Sequence, residues 1–95
     1  MANRSELRDL AGGLALLSDP TRLGILKALA GGPKNVGAIC GALGLKQPAV
    51  SHHLGLLRLG RLVSGTRKGK SVYYMVEGAT LKEVAAGLAK LTPRK

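Results

Sequence analysis

Two short apolar segments joined by a glycine turn constrain the fold of this 95-residue chain more than any other feature. Residues 35–43 and 47–59 both carry apolar side chains at helical spacing, and Gly44 lies between them. Pro48 fits the first turn of the second segment, because the N–H that proline lacks has no helical partner there. Two short helices joined by a turn that contains glycine are typical of a helix-turn-helix.

Helical spacing also marks two segments before this pair and one after it. The first, residues 7–17, contains Gly12 and Gly13, which either let another helix approach closely or are simply tolerated. The second begins at Asp19-Pro20, because aspartate suits the N-cap and proline the first helical position, and it ends at the glycines and proline of residues 31–33. Its predicted apolar face consists of Leu23, Ile25, Leu26 and Leu29. The last segment, residues 80–91, forms the closing helix.

In residues 62–76 the pattern changes from helical spacing to short extended runs. Lys68-Gly69 lies between the two runs, where glycine can adopt the positive φ that a tight hairpin needs. The element order α-α-α-α-β-β-α predicts a mainly α fold with a small β-hairpin, the winged helix-turn-helix. Because 95 residues leave no room for a second domain, residues 1–95 are expected to form one domain of this type.

Positive charge is in large excess. Fifteen Lys and Arg residues against five Asp and Glu give a net charge of +10, which favours a polyanionic partner: DNA, RNA or an acidic membrane surface. The single cysteine, Cys40, cannot form an intramolecular disulfide, and its place on an inner helix face predicts a buried, inert thiol unless another chain or a small molecule reacts with it. Without an apolar signal core or a bilayer-spanning segment, the chain is expected to be soluble and cytoplasmic.

Three blocks of sequence resemble the ArsR/SmtB family of bacterial winged-helix repressors. They are residues 18–23 (Ser-Asp-Pro-Thr-Arg-Leu), residues 43–54, which include Gln-Pro-Ala-Val-Ser-His-His-Leu, and residues 68–74 (Lys-Gly-Lys-Ser-Val-Tyr-Tyr). The resemblance implies a homodimer built from the first and last helices, an operator with two-fold symmetry, and release of DNA when an inducer binds, often a metal ion or metalloid. The interface residues that it implies are Leu7, Leu10, Leu14, Leu81, Val84 and Leu88.

The chain departs from this family at the positions that matter for metal sensing. Asn35 and Gly37 stand where many metal-sensing members carry a Cys-x-Cys pair. Residues 80–91 contain no Asp or His, although other members use these residue types on the last helix to bind zinc-like ions. We therefore predict no metal site at these places and no cofactor. An unusual metal site, a small organic ligand, a redox signal or no inducer at all remain open.

A second departure concerns the end of the fourth helix. In the run Leu59-Gly60-Arg61 the glycine stands one residue earlier than is usual in the family, which leaves open where this helix ends.

The fourth helix sorts into a buried and an exposed side. At about 100° per residue, Val50, Leu54 and Leu57 share one side, and His52 lies almost opposite. His53 lies near an edge, where it packs or contacts a phosphate, and because adjacent residues point about 100° apart the two histidines are unsuited to hold one metal ion. The predicted DNA contacts are Lys46, Gln47, Ser51, His52, His53, Arg58, Arg67, Lys68 and Lys70.

Two of these groups have a simpler alternative. Gln47 can read adenine through two hydrogen bonds or can cap the helix. The cationic hairpin tip can contact phosphates or the minor groove, or can be a solvated charge cluster. Contact with DNA is the favoured interpretation for both groups, and for the hairpin tip the adjacent reading helix is the reason.

These observations predict a homodimeric, sequence-specific DNA-binding transcriptional regulator, a repressor that lacks the usual metal sites. The alternative is an architectural or weakly specific nucleic-acid-binding protein without an effector. An enzyme is not expected, because the sequence has no phosphate-binding glycine loop of the P-loop type, no constellation of metal ligands and no nucleophile with a matching base.

Overall fold

The computed structural model describes residues 3–93, which form helices and a small antiparallel sheet. The winged helix-turn-helix prediction is confirmed, with one additional strand. The elements are α1 (Arg4–Leu17), α2 (Pro20–Ala30), β1 (Lys34–Asn35), α3 (Val36–Leu43), α4 (Gln47–Leu59), β2 (Val63–Lys68), β3 (Ser71–Val76) and α5 (Gly78–Ala89).

The additional strand, β1, makes the sheet three-stranded, in the order β1-β3-β2. Its two residues pair with β3, Lys34 opposite Tyr74 and Asn35 opposite Tyr73. Asn35 is also the N-cap of α3, because its side-chain oxygen accepts a 2.8 Å hydrogen bond from the backbone N–H of Ala38. A strand of two residues carries no periodicity, which is why the sequence pattern missed it.

The helix start at Asp19-Pro20 is confirmed. Pro20 is the first residue of α2, and the Asp19 carboxylate accepts a 3.0 Å hydrogen bond from the backbone N–H of Arg22. This bond satisfies one of the N–H groups that lack a partner within the helix. The cap also directs the turn between α1 and α2, which brings Arg22 close to the end of α1.

The core lies between α2, α3, α4 and the start of β2. Its largest fully buried side chains are Ile25, Ile39, Val50, Leu54, Leu57 and Leu62. Burial of Val50, Leu54 and Leu57 confirms the predicted inner side of α4. The predicted face of α2 is wrong at Leu23, which is 51% exposed, because it lies about 110° from the centre of the arc formed by Ile25, Leu26 and Leu29.

Helix α1 packs against α5 through glycines. A Cβ on Gly13 would lie 2.9 Å from Cγ2 of Val84, and one on Gly87 would lie 3.0 Å from Cδ1 of Leu10. No atom lies within 4 Å of the corresponding position on Gly12. Of the two alternatives for the glycine pair, close approach therefore holds for Gly13 within the chain.

The end of α4 explains the displaced glycine. The helix ends at Leu59, and Arg61 takes the left-handed conformation (φ 58°) that usually belongs to glycine. The N–H groups of Arg61 and Leu62 donate to the carbonyls of Arg58 (3.0 Å) and Leu57 (2.9 Å), as in a Schellman motif. The glycine stands at position 60, one residue before the left-handed position, for a different reason: a Cβ there would overlap Cδ1 of Leu16 in α1.

Candidate nucleic-acid interface

The outer side of α4 presents hydrogen-bonding groups to solvent. Val50, Leu54 and Leu57 fix the inner side in the core, so the opposite side is held rigidly away from it. The exposed residues of α4 include His52 and Gly55, nearly opposite the inner side, and Gln47, Ser51 and Arg58, along one flank of it. Lys46 precedes the helix as an N-cap whose side chain makes no capping bond. An α-helix anchored in this way can enter a major groove with these groups facing base edges.

His53 is placed differently from the other predicted contacts. Only 19% of its side chain is exposed, and its Nδ1 lies 3.2 Å from Nη1 of Arg22 and 4.0 Å from Oδ2 of Asp19. Since the guanidinium can only donate, Nδ1 accepts and the ring proton of neutral His53 lies on Nε2. Of the two roles predicted for His53, packing is the one that this geometry favours.

His52 points outward beside it. The two imidazole rings are 5.2 Å apart at their centroids and inclined by 66°.

The same group of side chains perturbs Asp19. The backbone N–H of Arg22 hydrogen-bonds the carboxylate and, with the nearby Arg22 charge adding to the effect, holds the pKa of Asp19 below its ordinary value. Arg22 is not among the functional residues predicted from the sequence. A signal was present, because Arg22 shares a helix face with the buried Leu26 and Leu29 at spacings of four and seven residues, where a charged group requires a partner.

The hairpin forms a wing that projects its charges into solvent. Strands β2 and β3 pair from Val63 opposite Val76 to Lys68 opposite Ser71. The turn is Gly69-Lys70, one residue later than predicted, and Gly69 has the positive φ (64°) that was expected of it. The three predicted cationic contacts, Arg67, Lys68 and Lys70, are all exposed.

At the base of the wing, the side chain of Tyr74 packs against the core. The wing therefore has a fixed base and an exposed cationic tip. Such a wing can reach the phosphate backbone beside a reading helix.

An open groove runs between α1 and α5. Among the predicted dimer residues, Leu7 and Leu88 are 46% and 42% exposed, and Leu10 and Leu14 are half-buried. Leu81 and Val84 already have partners within the chain, since Leu81 packs against the core and Val84 against Gly13. The exposed leucines are the part of the predicted set that is free to meet a second chain.

Within residues 3–93, no cluster of three or more His, Cys, Asp or Glu side chains is arranged to hold a metal ion. Cys40 is half-buried and packs against the core. Over the same residues, every helix is too short or too polar to cross a bilayer.

Comparison with known proteins places this geometry in a family. The family described as bacterial regulatory protein, arsR family, matches residues 19–64, which include α2, the helix-turn-helix and the first residues of the wing. The transcriptional repressor SdpR of Bacillus subtilis is 37% identical over 67 residues, which are 70% of this chain and 74% of SdpR. The chain belongs to the arsR family of bacterial regulatory proteins. It is therefore a transcriptional regulator with a winged helix-turn-helix, as its sequence predicts.

Two further similar proteins agree with this assignment. NmtR, an HTH-type transcriptional regulator of Mycobacterium tuberculosis, is 45% identical over 65 residues, which are 68% of this chain and 54% of NmtR, so the chain spans about half the length of that relative. Mb0332 of Mycobacterium bovis, a possible ArsR-family regulator whose residues 1–100 form a homodimeric winged helix-turn-helix DNA-binding domain, has a TM-score of 0.75 and 29% identity. That similarity covers 95% of this chain and 87% of the Mb0332 structure.

Proposed function

We propose that this arsR-family protein is a homodimeric repressor that binds double-stranded DNA at an operator with an inverted repeat. The observation that carries the proposal is that α4 exposes Gln47, Ser51 and His52 while Val50, Leu54 and Leu57 on its inner side are fully buried. Rigid anchoring matters because base edges are distinguished only by donors and acceptors held in register with the groove. A protein that binds DNA acts where the DNA is, so we place it in the bacterial cytoplasm.

Each exposed group on α4 has a distinct role in this proposal. Gln47 reads adenine, since its amide can donate and accept at the same base edge, and Ser51 and His52 supply further hydrogen bonds to bases. Lys46 and Arg58 bracket the helix and neutralise phosphates on either side of the groove. His53 is assigned a supporting role, because its exposed fraction is small and Arg22 occupies its Nδ1.

The wing supplies affinity without sequence information. Arg67, Lys68 and Lys70 lie at its exposed tip, beyond the base that Tyr74 fixes to the core. Each phosphate that they neutralise is expected to release counterions and to steepen the logarithmic salt dependence of binding by about 0.9. The net charge of +10 supports the same role for the surface as a whole.

Dimerisation places two reading helices on one duplex. Leu7, which lines the α1–α5 groove, and Leu88 on α5 expose apolar surface, and a second copy of the chain would cover it. The homodimeric state of the Mb0332 domain supports the same arrangement. A two-fold axis would set the reading helices about 34 Å apart, one helical turn of DNA, which accounts for the inverted repeat.

Footprinting and competition test the proposal together. Sequences selected from random DNA by the purified protein are footprinted, and binding is then competed with unselected DNA of the same length. We expect symmetric protection of two half-sites and a preference of about a thousandfold or more for the selected sequence. Protection without symmetry, or a preference of only a few-fold, would instead identify an architectural protein. Lys82→Ala on α5, which removes an exposed cation outside the proposed interface, is the matched control and should leave the preference unchanged.

A further inference from the structure

One guanidinium joins three helices. Arg22, near the start of α2, donates from Nε to the carbonyl of Leu16 and from Nη2 to the carbonyl of Ala15 (3.4 Å), both in the last turn of α1. Its Nη1 donates to Nδ1 of His53 on α4 (3.2 Å). The cation thus satisfies carbonyls at the C-terminal end of α1, where the helix dipole favours positive charge, and holds α4 at the same time.

A second contact joins α1 to α4 independently. The side chain of Leu16, whose carbonyl accepts from Arg22, lies over Gly60 directly after the end of α4. The space that it fills would be occupied by a Cβ in any other residue. The last turn of α1 is therefore attached near the middle of α4 through Arg22 and His53, and at its end through Leu16 and Gly60.

Two attachment points fix both the position and the direction of the α4 axis relative to α1. His53 and Gly60 are seven residues apart, which is two helical turns or about 10 Å along the axis. We propose that Arg22 is a positioning residue that holds the reading helix α4 at a fixed angle to the dimer helix α1, and so sets the half-site spacing that the dimer accepts. This inference rests on the proposed function, because it takes α1 as part of the dimer interface and α4 as the element in the groove.

The size of the effect follows from the geometry of a dimer. Each reading helix would lie about 17 Å from the two-fold axis, half of the ~34 Å between successive major grooves. A rotation of about 10° at that radius displaces the helix by about 3 Å, close to the rise of one base pair (~3.4 Å). Loss of the Arg22 attachment should therefore relax discrimination between operators whose half-sites differ in spacing by one base pair.

Four variants separate positioning from folding and from direct DNA contact. Arg22→Gln removes the charged fork, and Arg22→Lys keeps the charge without the geometry that reaches both α1 and α4. His53→Leu removes the acceptor at similar volume, and His53→Asn restores an acceptor (Oδ1) at the place of Nδ1. Because the His53 pair leaves Arg22 and its α1 contacts intact, it provides the test even if Arg22→Gln fails to fold.

The readout is affinity for three DNAs: the selected operator, the same operator with one base pair added between half-sites, and the operator with one half-site scrambled. The wild-type protein should prefer the correct spacing by about tenfold or more. Arg22→Gln and His53→Leu should reduce this ratio to about two- or threefold, and His53→Asn should recover most of it. Affinity for the scrambled-half-site DNA should change by less than about twofold in the Arg22 variants.

Two results would overturn the inference. One is an unchanged spacing ratio in His53→Leu and in folded Arg22→Gln. The other is a loss in His53→Leu that is equally large on all three DNAs, since this would make His53 a phosphate contact. Neither result touches the proposed function, which fails earlier if no symmetric operator is selected.

Discussion

Replacement of Arg61 by glycine should stabilise the protein. Arg61 is the C′ residue of α4 and is held at a φ of 58°, although its side chain is exposed and anchors nothing in the core. The left-handed conformation brings Cβ close to the following carbonyl oxygen, which costs an L-residue about 1–2 kcal/mol. Glycine has no Cβ and avoids this cost, and the two backbone hydrogen bonds that close the helix end are unaffected by the substitution.

The net stabilisation from Arg61→Gly is smaller than the strain energy that the substitution removes. Glycine also gives the unfolded chain more conformational freedom, which destabilises the folded state by roughly 0.4–1 kcal/mol. The difference leaves a stabilisation of about 0.5–1 kcal/mol. For a domain of this length that corresponds to an increase in Tm of roughly 3–6 °C.

Thermal unfolding followed by circular dichroism measures the change. Protomer concentration must be held constant, because the Tm of a dimer depends on it. Arg58→Gly is the matched control: it makes the same chemical change inside α4, where glycine costs up to about 1 kcal/mol, and should lower the Tm. A Tm of Arg61→Gly equal to or below that of the wild-type protein would refute the claim that Arg61 carries backbone strain.

Three further perturbations test other parts of the structure. The pKa of Asp19 is lower in the folded state than in the unfolded state, so the ionised carboxylate adds to the free energy of unfolding. This contribution should be present above about pH 4 and lost as the pH falls below it. Asp19→Asn should therefore flatten the pH dependence of the free energy of unfolding that urea titrations measure between about pH 5 and pH 3. Leu88→Glu on α5 should shift the dimer toward monomer in sedimentation experiments, whereas the same change at Leu23, which is comparably exposed but lies on α2, outside the two helices of the proposed interface, should not. Gly60→Ala should lower the free energy of unfolding by about 1–2 kcal/mol in urea, because its Cβ displaces Leu16; an unchanged midpoint would contradict the close packing of α1 on the end of α4.

Local periodicity was sufficient to predict the elements that position the site. The burial of Val50, Leu54 and Leu57 follows from the 3.6-residue repeat, and the start of α2 follows from the chemistry of Asp19 and Pro20. These features depend on residues within one or two turns of each other. Features of this local kind can be predicted from a single sequence.

Features that depend on contacts between distant residues were missed. The partner of His53 is Arg22, which lies 31 residues earlier in the chain. The left-handed conformation falls on Arg61 because the side chain of Leu16 lies over the preceding residue, Gly60, and leaves no room there for a Cβ. Strand β1 exists because β3 offers an edge to pair with, and two residues contain no repeat from which to infer it. The exposed Leu23 shows the related difficulty of choosing the centre of a broad apolar face.

The most direct test of sequence reading by α4 compares Gln47→Ala/Ser51→Ala/His52→Ala with the wing variant Lys68→Ala/Lys70→Ala. The measured quantities are the ratio of affinity for the selected operator to affinity for unselected DNA at one salt concentration, and the slope of log affinity against log salt concentration. The α4 variant should lose most of this ratio while retaining binding to unselected DNA. The wing variant should weaken binding to both DNAs in similar proportion and reduce the salt slope by about two. An unchanged ratio in the α4 variant would show that this helix does not read the sequence.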